Sequence, residues 1–180
     1  MELPQRKPNR LPDYDYSSPG AYFITICTKD RKPILSRIVG GGAHDAPYPQ
    51  FTEAGQIVHR YILSGNRIAG VTVDKFVIMP NHIHLILLVD DTAVGGASKA
   101  PPPTKDVATG GPSKAPAPTN AVIPHFVSTL KRFCHRDLGQ KIFQRSFHDH
   151  VIRDEQDYLK IWNYIDGNPS KWEEDCFYTK

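Results

Sequence analysis

Two strand-like runs joined by a tight turn constrain this chain more than any other feature. VTVDKFVIM (Val71 to Met79) and HIHLILLV (His82 to Val89) are built almost wholly from β-branched and apolar residues, and Pro80-Asn81 between them is a turn signal. The pair reads as a hairpin. Strand side chains alternate, so His82 and His84 share a face roughly 7 Å apart at their Cα atoms, while Ile83 points into the core. Two imidazoles so placed near a strand end can reach one divalent ion. On this triplet alone, a pair of partly exposed strand histidines is the slightly favoured reading. His148-Asp149-His150 repeats the spacing in a charged, loop-like stretch and forms a rival pair.

The flanking sequence supplies the elements such a hairpin needs. Tyr22 to Thr28 (YFITICT) reads as a first strand. Thr52 to Gln56 opens a helix with Ile57, Tyr61 and Ile62 near one face. Val122 to Leu138 predicts a second helix, with Ile123, Phe126, Val127, Leu130 and Phe133 at helical spacing and Pro124 tolerated in the first turn. A short strand and turn are expected within Ile142 to Val151. Asp154 then caps a last helix, EQDYLKIWNYID, that ends at Gly167-Asn168-Pro169. The order β-α-β-β-α-β-α predicts an α+β fold: a ferredoxin-like antiparallel sheet with helices on one face plus a C-terminal tyrosine-bearing helix.

Residues 91–120 break this pattern. DTAVGGASKAPPPTK is followed by DVATGGPSKAPAPTN, a tandem repeat with no hydrophobic face, which reads as a flexible insertion within a single domain spanning residues 1–180. A degenerate copy in residues 39–50 is a candidate for a smaller loop insertion.

Composition narrows the class. The chain has 180 residues, 39% hydrophobic, enough for one sizeable core. Its longest apolar run, Leu85 to Val89, is strand-length, so no membrane partner is expected. The polar N-terminus lacks a signal core, which with three cysteines in no CxxC spacing predicts a cytoplasmic protein with reduced thiols. A net charge of +3 decides little. Two basic clusters, Arg6, Lys7 and Arg10, and Lys131, Arg132, His135 and Arg136, read either as phosphate contacts or as solvated faces.

Tyr164 stands on a mostly apolar helix among Tyr158, Leu159, Ile161, Trp162 and Ile165, where packing is the ordinary role. Asn168 follows at i+4 and shares its face if the helix is continuous. Its amide oxygen can then join two imidazoles around Mg²⁺ or Mn²⁺. Pro169, however, biases Asn168 away from helical dihedrals, and the residue reads equally as a helix cap.

DKFVIMPNHIHLILLV resembles the His-hydrophobe-His signature of single-tyrosine transposases, in particular the REP-associated tyrosine transposases of bacteria. SFHDHVIRDEQDYLKIWNYIDGNPSKWEED is similar to that family's closing block, in which the tyrosine precedes an Asn-Pro pair, and DYDYSSPGAYFITICTKDR to its opening. The resemblance spans most of residues 11–90 and 121–176. It implies that His82 and His84 are metal ligands, that Asn168 completes the site, and that Tyr164 is the nucleophile of a DNA transposase. Mg²⁺ or Mn²⁺ is the implied cofactor, single-stranded or hairpin DNA the partner, and a monomer or homodimer the working state. Cleavage through a 5′-phosphotyrosine exchanges one ester for another, in keeping with the lack of a P-loop GxxxxGK[ST].

Lys131, Arg132, Arg136, Arg145 and Arg153 are the expected phosphate contacts, with His148 and His150 as accessory proton carriers or DNA contacts. The repetitive inserts and the short tail beyond Trp172 depart from the family pattern and leave target choice open. Two alternatives stand beside this reading: a catalytically inactive hairpin-DNA binder or regulator, and a hydrolase in which water attacks and Tyr164 is structural.

Overall fold

In the computed structural model, which describes residues 18–42, 45–94 and 121–178, the chain begins with β1 (Gly20–Cys27), β2 (Ser36–Val39) and β3 (Tyr48–Phe51). Helix α1 (Glu53–Ser64), β4 (Val71–Ile78), β5 (His82–Val89) and the single turn α2 (Asp91–Val94) follow. Then come α3 (Val122–Asp137), β6 (His148–Ile152) and α4 (Glu155–Gly167). The main sheet has the order β4-β5-β1-β6 with every pair antiparallel. Without β2 and β3, which pair in a separate hairpin, this is the ferredoxin-like β-α-β-β-α-β arrangement expected from the sequence, followed by α4.

Alternation along β5 separates two cores. Ile83, Leu85 and Leu87 face α1 and α3, joining Ile24, Ile62, Ile123, Phe126 and Leu130 in one buried cluster. Ile86 faces the other way, with Val77, Met79 and Ile152, and is covered by Ile161 and Ile165 of α4. Each such buried aliphatic side chain contributes about 1.5–3 kcal/mol. His82 and His84 lie on the α4 side by the same alternation. The helices start where side chains satisfy open amides: Thr52 Oγ1 accepts from Gly55 N at 3.1 Å, and Asp154 Oδ1 from Asp157 N at 2.8 Å. Gly55 also admits a close approach, since a Cβ there would lie 2.0 Å from the Leu35 carbonyl oxygen.

The structure refines several expectations. The β2–β3 hairpin was not foreseen, and residues 39–50 include the end of β2 and most of β3. The strand expected within Ile142 to Val151 is confined to its end, so His148 and His150 stand on β6 rather than in a loop; Phe143 makes a lone bridge to Thr28. Asn168 keeps helical dihedrals (φ −59°, ψ −42°), and Pro169 opens a 3-10 turn, Pro169–Glu174, without breaking the path. Proline at a first helical position has no amide to satisfy. Of the repeat, residues 91–94 form α2; the rest, with Arg6, Lys7 and Arg10, lies outside the described residues. Among the described residues no helix is long and apolar enough to cross a membrane.

Candidate functional site

Cross-strand register builds the site. On β1, Cys27 pairs with His82 and Thr25 with His84. The Thr25 hydroxyl lies 2.8 Å from His84 Nδ1, and Asn81 Oδ1 lies 2.9 Å from His82 Nδ1. The Asn81 amide is oriented by its own donations, Nδ2 to the Phe177 carbonyl at 2.7 Å and to the Arg31 carbonyl at 3.3 Å. Its oxygen therefore faces His82, which makes Nδ1 the protonated nitrogen and leaves Nε2 with a bare lone pair. His82 Nε2 is buried and has no hydrogen-bond partner.

Helix α4 and the segment after it close the site from above. Tyr164 and Asn168 project from successive turns, and the 3-10 turn beyond them returns the chain so that Asp175 arrives beside the imidazoles. One ligand atom from each of His82, His84 and Asp175 falls within 4.8 Å of the others. The Tyr164 hydroxyl is 3.2 Å from His84 Nε2 and 3.3 Å from Asp175 Oδ2. Asn168 Nδ2 donates to Asp175 Oδ2 at 2.8 Å, while Asn168 Oδ1 is buried without a partner.

Rings wall the pair in: Phe23 stacks on His84 at 5.1 Å between centroids, and Phe177 lies 4.6 Å from His82. The imidazoles are thus 0% and 1% exposed, whereas Tyr164 is 42% exposed at the rim.

Electrostatics favour a cation here. Burial pushes His82 down to about 4, with Arg31 adding to the fall and the Asp175 charge opposing it. Burial and the neighbouring His82 push His84 well below its ordinary value. Both rings are neutral near pH 7, the form that ligates metal. Burial first and the Asp175 carboxylate second raise the Tyr164 phenol above its usual range. Two imidazole nitrogens, a carboxylate and the Asn168 amide oxygen form a mixed nitrogen and oxygen donor set that fits a divalent ion, and two of these atoms, His82 Nε2 and Asn168 Oδ1, have no hydrogen-bond partner.

The remaining expected site residues separate. His148 is exposed on β6, in the same cross-sheet row as Thr25 and His84. His150 Nε2 lies 2.7 Å from Asp157 Oδ2 in the first turn of α4, so neither joins the His82–His84 cluster. Lys131 is largely buried on α3. It is 8% exposed, and its Nζ donates to the carbonyls of Gln144 and Ser146 at 2.9 and 2.8 Å, with Arg145 O at 3.4 Å. Its ammonium ties α3 to the connection before β6.

Arg136 bonds Asp137 and Tyr61 at 2.9 and 3.0 Å, on the side facing α1. Arg132, Arg145 and Arg153 are exposed. Sequence reasoning missed Asp175, Thr25 and Asn81. Thr25 and Asn81 were findable once the β1–β5 register was fixed. Asp175 sits in an acidic run, KWEEDC, that has no periodicity to mark it.

The structure of a REP-associated tyrosine transposase bound to a REP hairpin has the same fold, with a TM-score of 0.55 at 20% identity over 95% of this chain and 74% of that one. No protein-family model matches the chain. An uncharacterized protein of Haemophilus influenzae (strain ATCC 51907 / DSM 11121 / KW20 / Rd) is 33% identical over 176 residues, covering 97% of this chain and 93% of the relative. The architecture is therefore that of the REP-associated tyrosine transposases. Within it, the chain belongs to the family of the Haemophilus influenzae protein.

Proposed function

We propose that this protein is a DNA strand transferase of the single-tyrosine transposase kind, which cuts and rejoins single-stranded or hairpin-borne DNA. The observation that carries the reading is the Tyr164 hydroxyl, 3.2 Å from His84 Nε2 at the rim of a buried His-His-Asp cluster. His82, His84 and Asp175 would hold Mg²⁺ or Mn²⁺, with Asn168 Oδ1 as a further ligand. When bound, such an ion supplies the positive charge that polarises a phosphate oxygen and favours the phenolate.

The chain's own residues do the rest. Asn81 and Thr25 fix the imidazoles through Nδ1, which leaves both Nε2 atoms toward the cluster. Phe23 and Phe177 keep water from the ligand atoms. The Tyr164 oxygen forms a bond to phosphorus as the bond from phosphorus to the 3′ oxygen breaks. The phenol proton passes to solvent or the Asp175 carboxylate, and the departing oxygen takes up a proton to become a free 3′-hydroxyl. A second 3′-hydroxyl attacking the 5′-phosphotyrosine reverses the step at a new junction, without ATP. Tyr164 reaches the histidines of its own chain, which supports action by a monomer. Arg132, Arg145 and Arg153 are the proposed phosphate contacts.

A labelled hairpin oligonucleotide with single-stranded flanks, incubated with Mn²⁺ or Mg²⁺ and run under denaturing conditions, tests this. A covalent adduct is expected from the wild type and none from Tyr164→Phe or His82→Ala. Binding with no wild-type adduct would overturn the enzyme in favour of an inactive hairpin binder. Cleavage that survives Tyr164→Phe would point to attack by water.

A further inference from the structure

On the far side of β1 from the histidines lies a groove of about 940 Å³, bounded by one stripe of α3 and by residues 141–147. Lys29, Arg132, Lys141 and Arg145 rim it, Phe147 lines it, and no acidic side chain of the described residues does. All four cations are exposed, and among the described residues none is paired with a carboxylate. An uncompensated row of cations beside an aromatic ring is the chemistry that holds a nucleic-acid strand, through phosphates and a sequence-tolerant base contact.

The groove is also tied to the catalytic end of the sheet. Gln144 N donates to the Cys27 carbonyl at 3.0 Å, and Thr28 bridges Phe143, while Cys27 pairs on its other side with His82. In the plane of the sheet the groove wall and the His82 backbone are thus two strand spacings apart, ~10 Å, with the groove on the α3 face and the imidazoles on the α4 face. At the adjoining end of β6, exposed His148 shares a row with Thr25 and His84.

We infer that this groove holds the single-stranded DNA that adjoins the scissile phosphate, and so sets which phosphate reaches Tyr164. Arg132, Lys141 and Arg145 grip its phosphates, beside Phe147 in the groove lining. The inference rests on the proposed transferase reading, but its test separates the two.

Fluorescein-labelled oligothymidylate is titrated with the full chain, without divalent ion, over a range of salt. Arg132→Ala/Lys141→Ala/Arg145→Ala is expected to weaken binding about tenfold or more and to flatten the slope of log K against log salt by ~2, at ~0.7 per lost phosphate contact. A control that removes equal charge elsewhere, Arg37→Ala/Arg60→Ala/Arg67→Ala, is expected to keep most of both. Circular dichroism checks each fold, and the milder pair Arg132→Gln/Arg145→Gln repeats the measurement with a flattening of ~1.4.

Equal loss in the control, an unchanged slope in the groove variants, or displacement of the oligomer by blunt duplex at lower concentration than by unlabelled oligothymidylate would each overturn the groove. Groove-dependent binding with no adduct from the wild type removes the transferase reading alone. Adduct formation with groove variants that bind normally removes the groove alone.

Discussion

Thr25 and His84 are cross-strand partners, and the threonine hydroxyl lies 2.8 Å from His84 Nδ1 in a setting where both residues are buried. That contact sets the ring's rotation and leaves Nε2 for the cluster. Thr25→Val keeps the β-branched shape and removes only the hydrogen bond. Outer partners of metal-binding histidines typically account for 10–100-fold in affinity, so Mn²⁺ binding measured by calorimetry should weaken by roughly that factor. Folding stability should fall by only about 1 kcal/mol. An unchanged Mn²⁺ affinity would show that the Phe23 stack alone holds the ring.

Acid should destabilise the metal-free protein in a defined window. Burial puts His82 at about 4 when folded, against an unfolded value of ~6.5. The unfolded chain therefore binds more protons between those values, so stability is fully present above about pH 6.5 and is lost as pH falls toward 4. For His82 the loss is about 3 kcal/mol over the window, and His84 adds to it in the same direction. Urea midpoints should drop steeply from pH 6.5 to 4.5 in the wild type and less in His82→Asn. Mn²⁺ should raise the midpoint at pH 7 and do so far less at pH 5, because only neutral imidazoles bind it.

Lys131 should prove structural. Its ammonium is held by three carbonyls between α3 and β6, and burial lowers it to about 8. Lys131→Met keeps the stem but strips donors from buried carbonyls, and a loss of roughly 2 kcal/mol is expected in denaturant titration. In lysine-labelled protein, one side-chain signal should titrate near pH 8. The folded value lies below the unfolded ~10.5, so stability from this group rises with pH between the two as the desolvated charge is lost.

How much was legible follows from what each signal depends on. The β5 alternation and the α3 stripe were readable because burial period and element type coincide, and they carry His82, His84 and the sheet. The Tyr164–Asn168 face was readable up to Pro169. There the dipeptide preference pointed away from helix, but α4 is held by Ile161 and Ile165 and continues into the 3-10 turn. The carbonyl contacts of Lys131 were not legible because a Lys-Arg run looks the same whether its ammonium faces water or a neighbouring loop. Asp175 was invisible because it reaches the site only through the return of the chain after α4, a tertiary event with no local pattern.

Asp175 should have two opposed effects on Tyr164, which distinguishes a ligand from a packing residue. Without a cation, its charge helps to hold the phenol above its ordinary range. Asp175→Asn should therefore lower the Tyr164 titration in metal-free protein, read from ring-labelled tyrosine by NMR, even though burial still keeps it raised. With Mn²⁺ the same change removes the carboxylate from the His82, His84 and Asp175 cluster, and affinity should fall by at least about tenfold, roughly 1.4 kcal/mol. A residue that merely packs would move both readouts only as far as it moves the melting temperature. Unchanged Mn²⁺ affinity together with a lowered phenol would instead assign the oxygen ligand to Asn168, whose buried Oδ1 has no hydrogen-bond partner; Asn168→Ala would then abolish binding.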